Sequence, residues 1–410
     1  MRVAVVAGPD PGHAFPAIAL CLKLLAAGDE PTLLTGAQWL DLARDRGVAA
    51  TLLAGLDPVD GDDDGDSGAK LHRRAARMAV LNRRALADLD LDLVVSDVIT
   101  SCGGMAAEML GLPWVELNPH PLYRPSRGLP PLGSGLAPGV GLRGGLRDAV
   151  MRALTARSWR MGLRQRSAAR VEIGLPAADP GPVRRLIATL PALEVPRPDW
   201  PAEAVVVGPL HFEPTTTVLE IPEGTGPVIV VAPSTAVTGT HGLAELALEA
   251  LTPGRTVPAG ARVVVSRLGG ERSDGGCVGG ERSDGGCVGG MEARVPPWAV
   301  VGLGRQDDLL SRADVVICGG GHGLVAKAML AGVPMVLVPG GGDQWEIANR
   351  VVRQGSGRLV RPLTAGALTA AVDGVLSAPN YRERARQAGA SVMAVADPVR
   401  VCHDALQRSR

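Results

Sequence analysis

The chain has 410 residues, too many for one ordinary hydrophobic core, and its 46% hydrophobic and 20% charged content is that of a folded protein, not a disordered one. Lys plus Arg and Asp plus Glu both number 42, so no net charge draws the chain to nucleic acid, and an aromatic content of 2% argues against base-stacking platforms. The cysteines (Cys21, Cys102, Cys277, Cys287, Cys318 and Cys402) form no CxxC pair and no metal-ligand spacing, so free thiols in a reducing cytoplasm are expected rather than a disulfide framework.

The N-terminal MRVAVVAGPDPGH runs directly into a strand pattern, which predicts no signal peptide. No apolar stretch approaches the ~20 residues that span a bilayer. Strands are predicted at 2–7, 31–35, 93–96 and 114–117, with helices at 15–27, 38–46, 73–88 and 103–110. The acidic run DGDDDGD (60–66) begins like a calcium loop, but its twelfth position is Leu71 where a bidentate Glu is needed, so a solvated loop is expected. A Pro/Gly-rich stretch at 118–145 is too long for a simple connector, and loops of that length are usually functional or disordered. The segment 143–170 then carries Arg147, Arg152, Arg157, Arg160, Arg164, Arg166 and Arg170, with Leu146, Val150 and Leu154 at helical spacing. A solvated arginine face is the first reading; a basic amphipathic helix facing an anionic acceptor, or an anionic membrane peripherally at its inner face, is the second.

A Pro-, Thr- and Gly-rich joint at 205–227 separates the two halves. The second half repeats the alternation, with strands predicted at 227–232, 262–266, 299–302, 315–318, 334–338 and 358–361. Its helices fall near 241–251, 307–312, 323–331, 344–354 and 364–377. Continuously apolar strands separated by helices imply parallel sheets buried on both faces, hence two doubly wound α/β domains. Within this half GGERSDGGCV (269–278) is copied without change at 279–288. Two glycine-rich decapeptides cannot each bury a face, so the duplication lengthens a loop rather than building a repeat architecture.

The chemistry gathers at CGGGHG (318–323), where a strand meets glycines and then a helix. Backbone N–H groups and the positive end of a helix dipole converge there, which makes an anion site. PGGGDQWEIAN (339–349) follows the next strand at the same sheet edge, and Asp343 with Gln344 offers acceptors and donors to neighbouring hydroxyls. Together they suit a sugar attached to a phosphate.

On these motifs the chain resembles the family 1, UDP-glycosyltransferase-like enzymes of GT-B fold, in which two Rossmann-like domains face a cleft. The segment GGHGLVAKAMLAGVPMVLVPGGGDQWEIANRV carries the nucleotide-sugar signature, and GHAFPAIAL, VSDVITSCGGMAAEMLGLPWVEL, VVVGPL, VIVVAPST and GLGRQDDLLSRADVVI match in order along nearly the whole chain. The resemblance implies an acceptor-binding domain at 1–212, a linker at 213–226, a donor-binding domain at 227–385 and a helical tail at 386–410 returning toward the first domain.

By the same resemblance, His13 is the catalytic base and Asp97 the acid that orients it. An acceptor hydroxyl must lose its proton as it attacks the anomeric carbon, and histidine titrates in the useful range. Gly12, Ser234, Thr235, Gln306, Gly320, Gly321, His322, Gly323, Leu324, Lys327, Asp343 and Gln344 fall at donor-binding positions, with Gln306 beside the nucleobase. His120 and Tyr123 lie on the acceptor side. The expected reaction is inverting transfer of a sugar from a UDP- or dTDP-sugar to a hydroxyl of a hydrophobic small molecule or lipid, with no metal and no other cofactor. Two departures stand out: Gly319 replaces a phosphate-contacting histidine, and Lys327 replaces a ribose-gripping glutamate. The alternatives are another GT-B enzyme, MurG-like or a nucleotide-sugar epimerase, and a non-catalytic nucleotide- or lipid-binding relative.

Overall fold

The computed structural model describes residues 1–57, 66–234, 239–252, 260–267 and 295–409. The expectations for the acidic run (Asp66 excepted), the duplicated decapeptides with Cys277 and Cys287, and Thr235 lie outside the described residues. The chain divides into two compact units, Met1–Phe212 with Ser391–Arg410, and Glu213–Ala390.

In the first unit the elements are β1 (Arg2–Val6), α1 (Pro11–Ala26), β2 (Glu30–Thr35), α2 (Leu40–Asp45), β3 (Ala49–Leu52), α3 (Ser67–Ala87), β4 (Leu93–Asp97), α4 (Cys102–Met109), β5 (Trp114–Asn118), α5 (Gly141–Glu172), β6 (Arg184–Ile187) and β7 (Ala204–Val206). The strands make one parallel sheet in the order β3-β2-β1-β4-β5-β6-β7. Alternate residues of β1 explain its continuous apolar run. Val3 and Val5 pack with Ile18, Leu20 and Leu24 of α1, while Ala4 and Val6 pack with Ala75, Ala79 and Met105 from α3 and α4. β3, β6 and β7 are absent from the sequence-based prediction. β3 sits at the sheet edge with exposed Ala49, Thr51 and Leu52, and β6 opens on Arg184 and Arg185, so neither carries the apolar run of a central strand.

The register pairs Val6 with Ser96, setting the carboxyl ends of β1 and β4 side by side where the strand order reverses. That reversal opens a crevice in doubly wound sheets.

α5 corrects the simple solvated-face reading of its arginines. Arg143, Arg157, Arg160 and Arg164 are exposed, but Arg170 is fully buried, its guanidinium gripping both oxygens of Glu108 at 2.9 and 2.7 Å. Leu142, Leu146, Val150 and Leu154 are exposed along the same helix. At about 100° per residue, Arg157 and Arg160 fall in the arc of Leu142, Leu146 and Val150. Basic and apolar residues therefore mix on one face, which is not the segregated pattern of a surface-lying membrane helix. Among the described residues no helix is long and apolar enough to cross a membrane.

The second unit runs β8 (Val228–Ala232), α6 (Leu243–Ala250), β9 (Arg262–Arg267), β10 (Ala299–Leu303), α7 (Gln306–Arg312), β11 (Val315–Cys318), α8 (His322–Leu330), β12 (Met335–Leu337), α9 (Gln344–Gln354), β13 (Gly357–Leu359), α10 (Ala365–Leu376) and α11 (Pro379–Ala390). Its parallel sheet has the order β10-β9-β8-β11-β12-β13. Ile229, Val231, Val263, Val265, Val315 and Ile317 share one core with Leu243, Ala247, Leu368 and Val372 of α6 and α10. Ala232 pairs with Cys318, so β8 and β11 end together at the reversal of this sheet as well.

The last helix, α12 (Pro398–Ser409), returns to the first unit. It buries Val399, Val401, Cys402 and Ala405 in the core that holds Val3 and Val5. His403 Nε2 lies 2.9 Å from Asp29 Oδ2.

Candidate functional site

In the first unit, β1 ends at Val6 and α1 begins at Pro11, whose fixed φ and missing N–H suit the first helical position. His13 is the third residue of α1, and its backbone N–H donates to Asp10 O at 2.9 Å. Across the reversal, Asp97 is the last residue of β4. His13 Nδ1 lies 2.7 Å from Asp97 Oδ1; the histidine side chain is 15% exposed and the carboxylate 0%. Asp97 Oδ2 accepts from Ile99 N, Thr100 N and Thr100 Oγ1 at 3.1, 3.1 and 3.2 Å, which fixes the carboxylate plane.

A carboxylate only accepts, so Nδ1 carries the hydrogen and the neutral ring keeps its lone pair on Nε2. Gly12, one residue earlier, is exposed, and a Cβ there would meet nothing within 4 Å.

His120 and Tyr123 meet this pair. The His120 ring stands edge-on to His13 with centres 6.2 Å apart, and it stacks on Tyr123 at 4.2 Å. His120 Nδ1 is 2.8 Å from Pro121 O, so this ring too holds its hydrogen on Nδ1. The segment from 119 to 140 carries no regular structure but is tied down. Leu122 N donates to Glu194 Oε1 at 2.6 Å, Arg124 pairs with Glu203 at 3.1 Å, and Ser126 Oγ donates to Asp199 Oδ1 at 2.5 Å. These acidic partners, 72 to 79 residues downstream, are residues that sequence reasoning missed.

In the second unit the expected donor residues gather at the carboxyl ends of β8, β10, β11 and β12. Gly319, Gly320 and Gly321 connect β11 to α8, and Gly320 has φ 89°, a left-handed conformation that glycine adopts without strain. The N–H groups of the first helical turn have no partners inside the helix. Gly321 and Gly323 are exposed, and a Cβ on either would meet nothing within 4 Å, so a phosphate has room to reach the backbone. His322 opens α8 and is buried, 8% exposed. Leu324, partly buried, follows in the same turn.

Gln344 binds these connections together. Its Oε1 accepts from Gly340 N at 3.0 Å and its Nε2 donates to Ser234 Oγ at 2.9 Å. A Cβ on Gly319 would stand 3.0 Å from that Oε1. Gln344 is buried while Asp343, its neighbour at the start of α9, is exposed. The two residues expected to act as a pair thus occupy different environments.

Lys327, in the middle of α8, points to a residue the sequence hid. Its Nζ lies 2.6 Å from Glu213 Oε1 and 3.1 Å from Gln306 Oε1. Glu213 Oε2 also accepts from Gln306 N at 3.0 Å. Gln306, the first residue of α7, is 4% exposed. The acid expected on α8 is a lysine, and a carboxylate from 114 residues upstream stands beside it. A lysine at a half-buried helix position demands an anion, but the sequence does not say which of 42 acidic residues supplies it.

Among the described residues no group of three His, Cys, Asp or Glu side chains is placed to hold a metal ion. Cys21, Cys102, Cys318 and Cys402 are free and buried.

Comparison with known proteins gives this geometry its context. Residues 295–407 match the family model for the C-terminal domain of erythromycin biosynthesis protein CIII-like proteins. The chain is 27% identical over 421 aligned residues to 4'-demethylrebeccamycin synthase of Lentzea aerocolonigenes, covering 94% of each chain. Among solved structures, the kitacinnamycin glycotransferase superposes with a TM-score of 0.73 at 22% identity, covering 100% of this chain and 98% of that one. The glycosyltransferase SnogD from Streptomyces nogalater gives 0.70 at 20% identity, covering 100% and 99%. A Streptomyces glycosyltransferase solved with thymidine diphosphate gives 0.66 at 19%, covering 99% of each.

Proposed function

We propose, from the premise that this chain is a glycosyltransferase of GT-B fold and family 1 type, that it moves a sugar from a dTDP- or UDP-sugar to a hydroxyl of a hydrophobic natural product. Transfer proceeds with inversion and without a metal. The observation that carries the reading is the 2.7 Å contact between His13 Nδ1 and the buried Asp97.

His13 Nε2 takes the proton of the acceptor hydroxyl as its oxygen bonds to the anomeric carbon and the bond to the nucleoside diphosphate breaks. A single displacement from the opposite face inverts that carbon. Asp97 holds the ring in the competent tautomer and stabilises the imidazolium that forms. The departing diphosphate is received by backbone N–H groups at the start of α8, where the glycines admit it and the helix dipole favours its charge. Ser234, His322, Gly323, Leu324, Asp343 and Gln344 line this donor side, and His120 with Tyr123 contacts the acceptor. Support for a thymidine or uridine nucleotide comes from the relatives: one structural neighbour was solved with thymidine diphosphate and another with dTDP. The acceptor class is supported by the relative named for rebeccamycin synthesis.

The test is transfer from dTDP- and UDP-sugars to a panel of aromatic and macrocyclic alcohols, with nucleotide affinity measured alongside. His13→Ala is expected to lose turnover by about 10²–10⁴-fold while binding dTDP as the unaltered chain does. Unchanged turnover would refute the base assignment.

A further inference from the structure

The cluster of Lys327, Glu213 and Gln306 supports a step beyond that reading and rests on it. We infer that Lys327 is a positioning residue that locks the Gln306 amide in one orientation, so that Gln306 presents a hydrogen-bond donor to the 4-carbonyl of a thymine or uracil base.

The amide of a glutamine can face either way, and its orientation follows from its neighbours. An ammonium group has donors and no acceptor. Lys327 Nζ, 3.1 Å from the Gln306 amide, therefore fixes the near atom as Oε1 and the far atom as the NH₂ group. Glu213 holds both members: Oε1 takes Lys327 Nζ at 2.6 Å and Oε2 takes the Gln306 backbone N–H at 3.0 Å. The lysine charge is thereby matched by a carboxylate at contact distance. Gln306 is 4% exposed, yet among the described residues no hydrogen bond uses its Nε2. Facing away from Lys327, that NH₂ group is left to donate to a ligand that supplies an acceptor there.

The place also fits a nucleotide. Gln306 follows β10, and the glycine run follows β11, at the carboxyl edge of one parallel sheet. A donor held in one orientation discriminates: thymine and uracil offer a carbonyl at position 4, whereas cytosine carries an amine there and would set two donors against each other. Without Lys327 the amide can turn over and offer Oε1 to that amine.

The test is calorimetric titration of the full chain with UDP, dTDP and CDP, repeated for Lys327→Met and for the double variant Lys327→Met/Glu213→Gln. The double variant leaves no unpaired Glu213 charge and guards against misfolding of the single one. The unaltered chain should bind UDP and dTDP about tenfold or more tightly than CDP, the worth of one buried hydrogen bond kept against one lost. In the variants the ratio should fall toward one, chiefly through tighter CDP binding. Equal affinity for UDP and CDP in the unaltered chain would overturn the base reading alone. A ratio unchanged in both variants would overturn the locking role of Lys327. Binding of no nucleoside diphosphate would overturn the donor-site reading and this assignment with it.

Discussion

Asp97 meets His13 with one carboxylate oxygen and gives the other to the turn at Ile99 and Thr100, so the acid that orients the ring is itself immobilised from the far side. Asp97→Asn preserves the shape but allows the amide to donate to Nδ1, which moves the ring hydrogen to Nε2 and removes the basic lone pair. Turnover should fall by about 10²–10⁴-fold with little change in donor affinity, as read from initial rates and calorimetry side by side. Thr100→Val, which removes one of three bonds to Oδ2, should cost less. A Thr100→Val enzyme slower than Asp97→Asn would contradict this order.

Arg170 offers a test of packing independent of catalysis. Its side chain is 0% exposed and bidentate with Glu108, and its Nε also donates to Pro176 O at 2.9 Å. Removing one partner of a buried pair leaves the other charge stranded. Arg170→Ala is expected to lower unfolding free energy by about 3–5 kcal/mol, measured by urea denaturation. Arg160→Ala, on the exposed stretch of the same helix, should change it by less than about 0.5 kcal/mol.

Acid should release the segment between β5 and α5. The hydroxyl of Ser126, with help from the Arg127 N–H, holds the Asp199 carboxyl below its ordinary range despite some desolvation. Burial pushes Glu203 up, but its hydrogen bonds and the guanidinium groups of Arg185 and Arg124 outweigh that and hold it below its ordinary range too. A carboxylate depressed in the folded state contributes stability above its unfolded pKa, about 4, and loses it as pH falls through the lower folded value. Limited proteolysis with an acid protease should therefore cut within 119–140 faster at pH 3 than at pH 5. In Asp199→Asn, the cutting rate at pH 5 should already approach the acid value.

The thiols should be inert while the chain is folded. Burial pushes Cys318 up to about 11 and Cys102 and Cys402 up to about 12, and it raises Cys21 further still. At pH 8 fewer than about one Cys318 in a thousand is thiolate. Iodoacetamide at pH 8, followed by peptide mapping, should leave these four sites unmodified in the native protein and label them in urea. Native labelling of Cys318 would contradict its burial beneath the glycine connection.

Much of the architecture is legible in the sequence because its central strands are buried on both faces. Val3–Val6 and Val315–Cys318 announce themselves as unbroken apolar runs, and the glycines after each run mark where the strand gives way to a helix. The strands that stay hidden are those whose residues answer to something other than the core: β3 at an edge, and β6, whose Arg185 serves Glu116 and Glu203. The same holds at the candidate site. His13 and Asp97 could be paired from a resemblance in motif order, whereas Glu213 could not be assigned to Lys327, since nothing local in the sequence joins residues 114 positions apart. Arg170 shows the converse, a basic residue in a basic run that the fold buries because Glu108 is waiting for it.

Gly319 carries a consequence for how this protein can change. A side chain at 319 would press on Gln344 Oε1, 3.0 Å from its Cβ, and Gln344 in turn joins Ser234 to Gly340. Installing histidine at 319 would therefore strain the Gln344 link between the connections after β8 and β12 as well as adding a ring. Positions 319 and 344 are expected to be coupled: a side chain at 319 is borne more easily once the one at 344 is shortened.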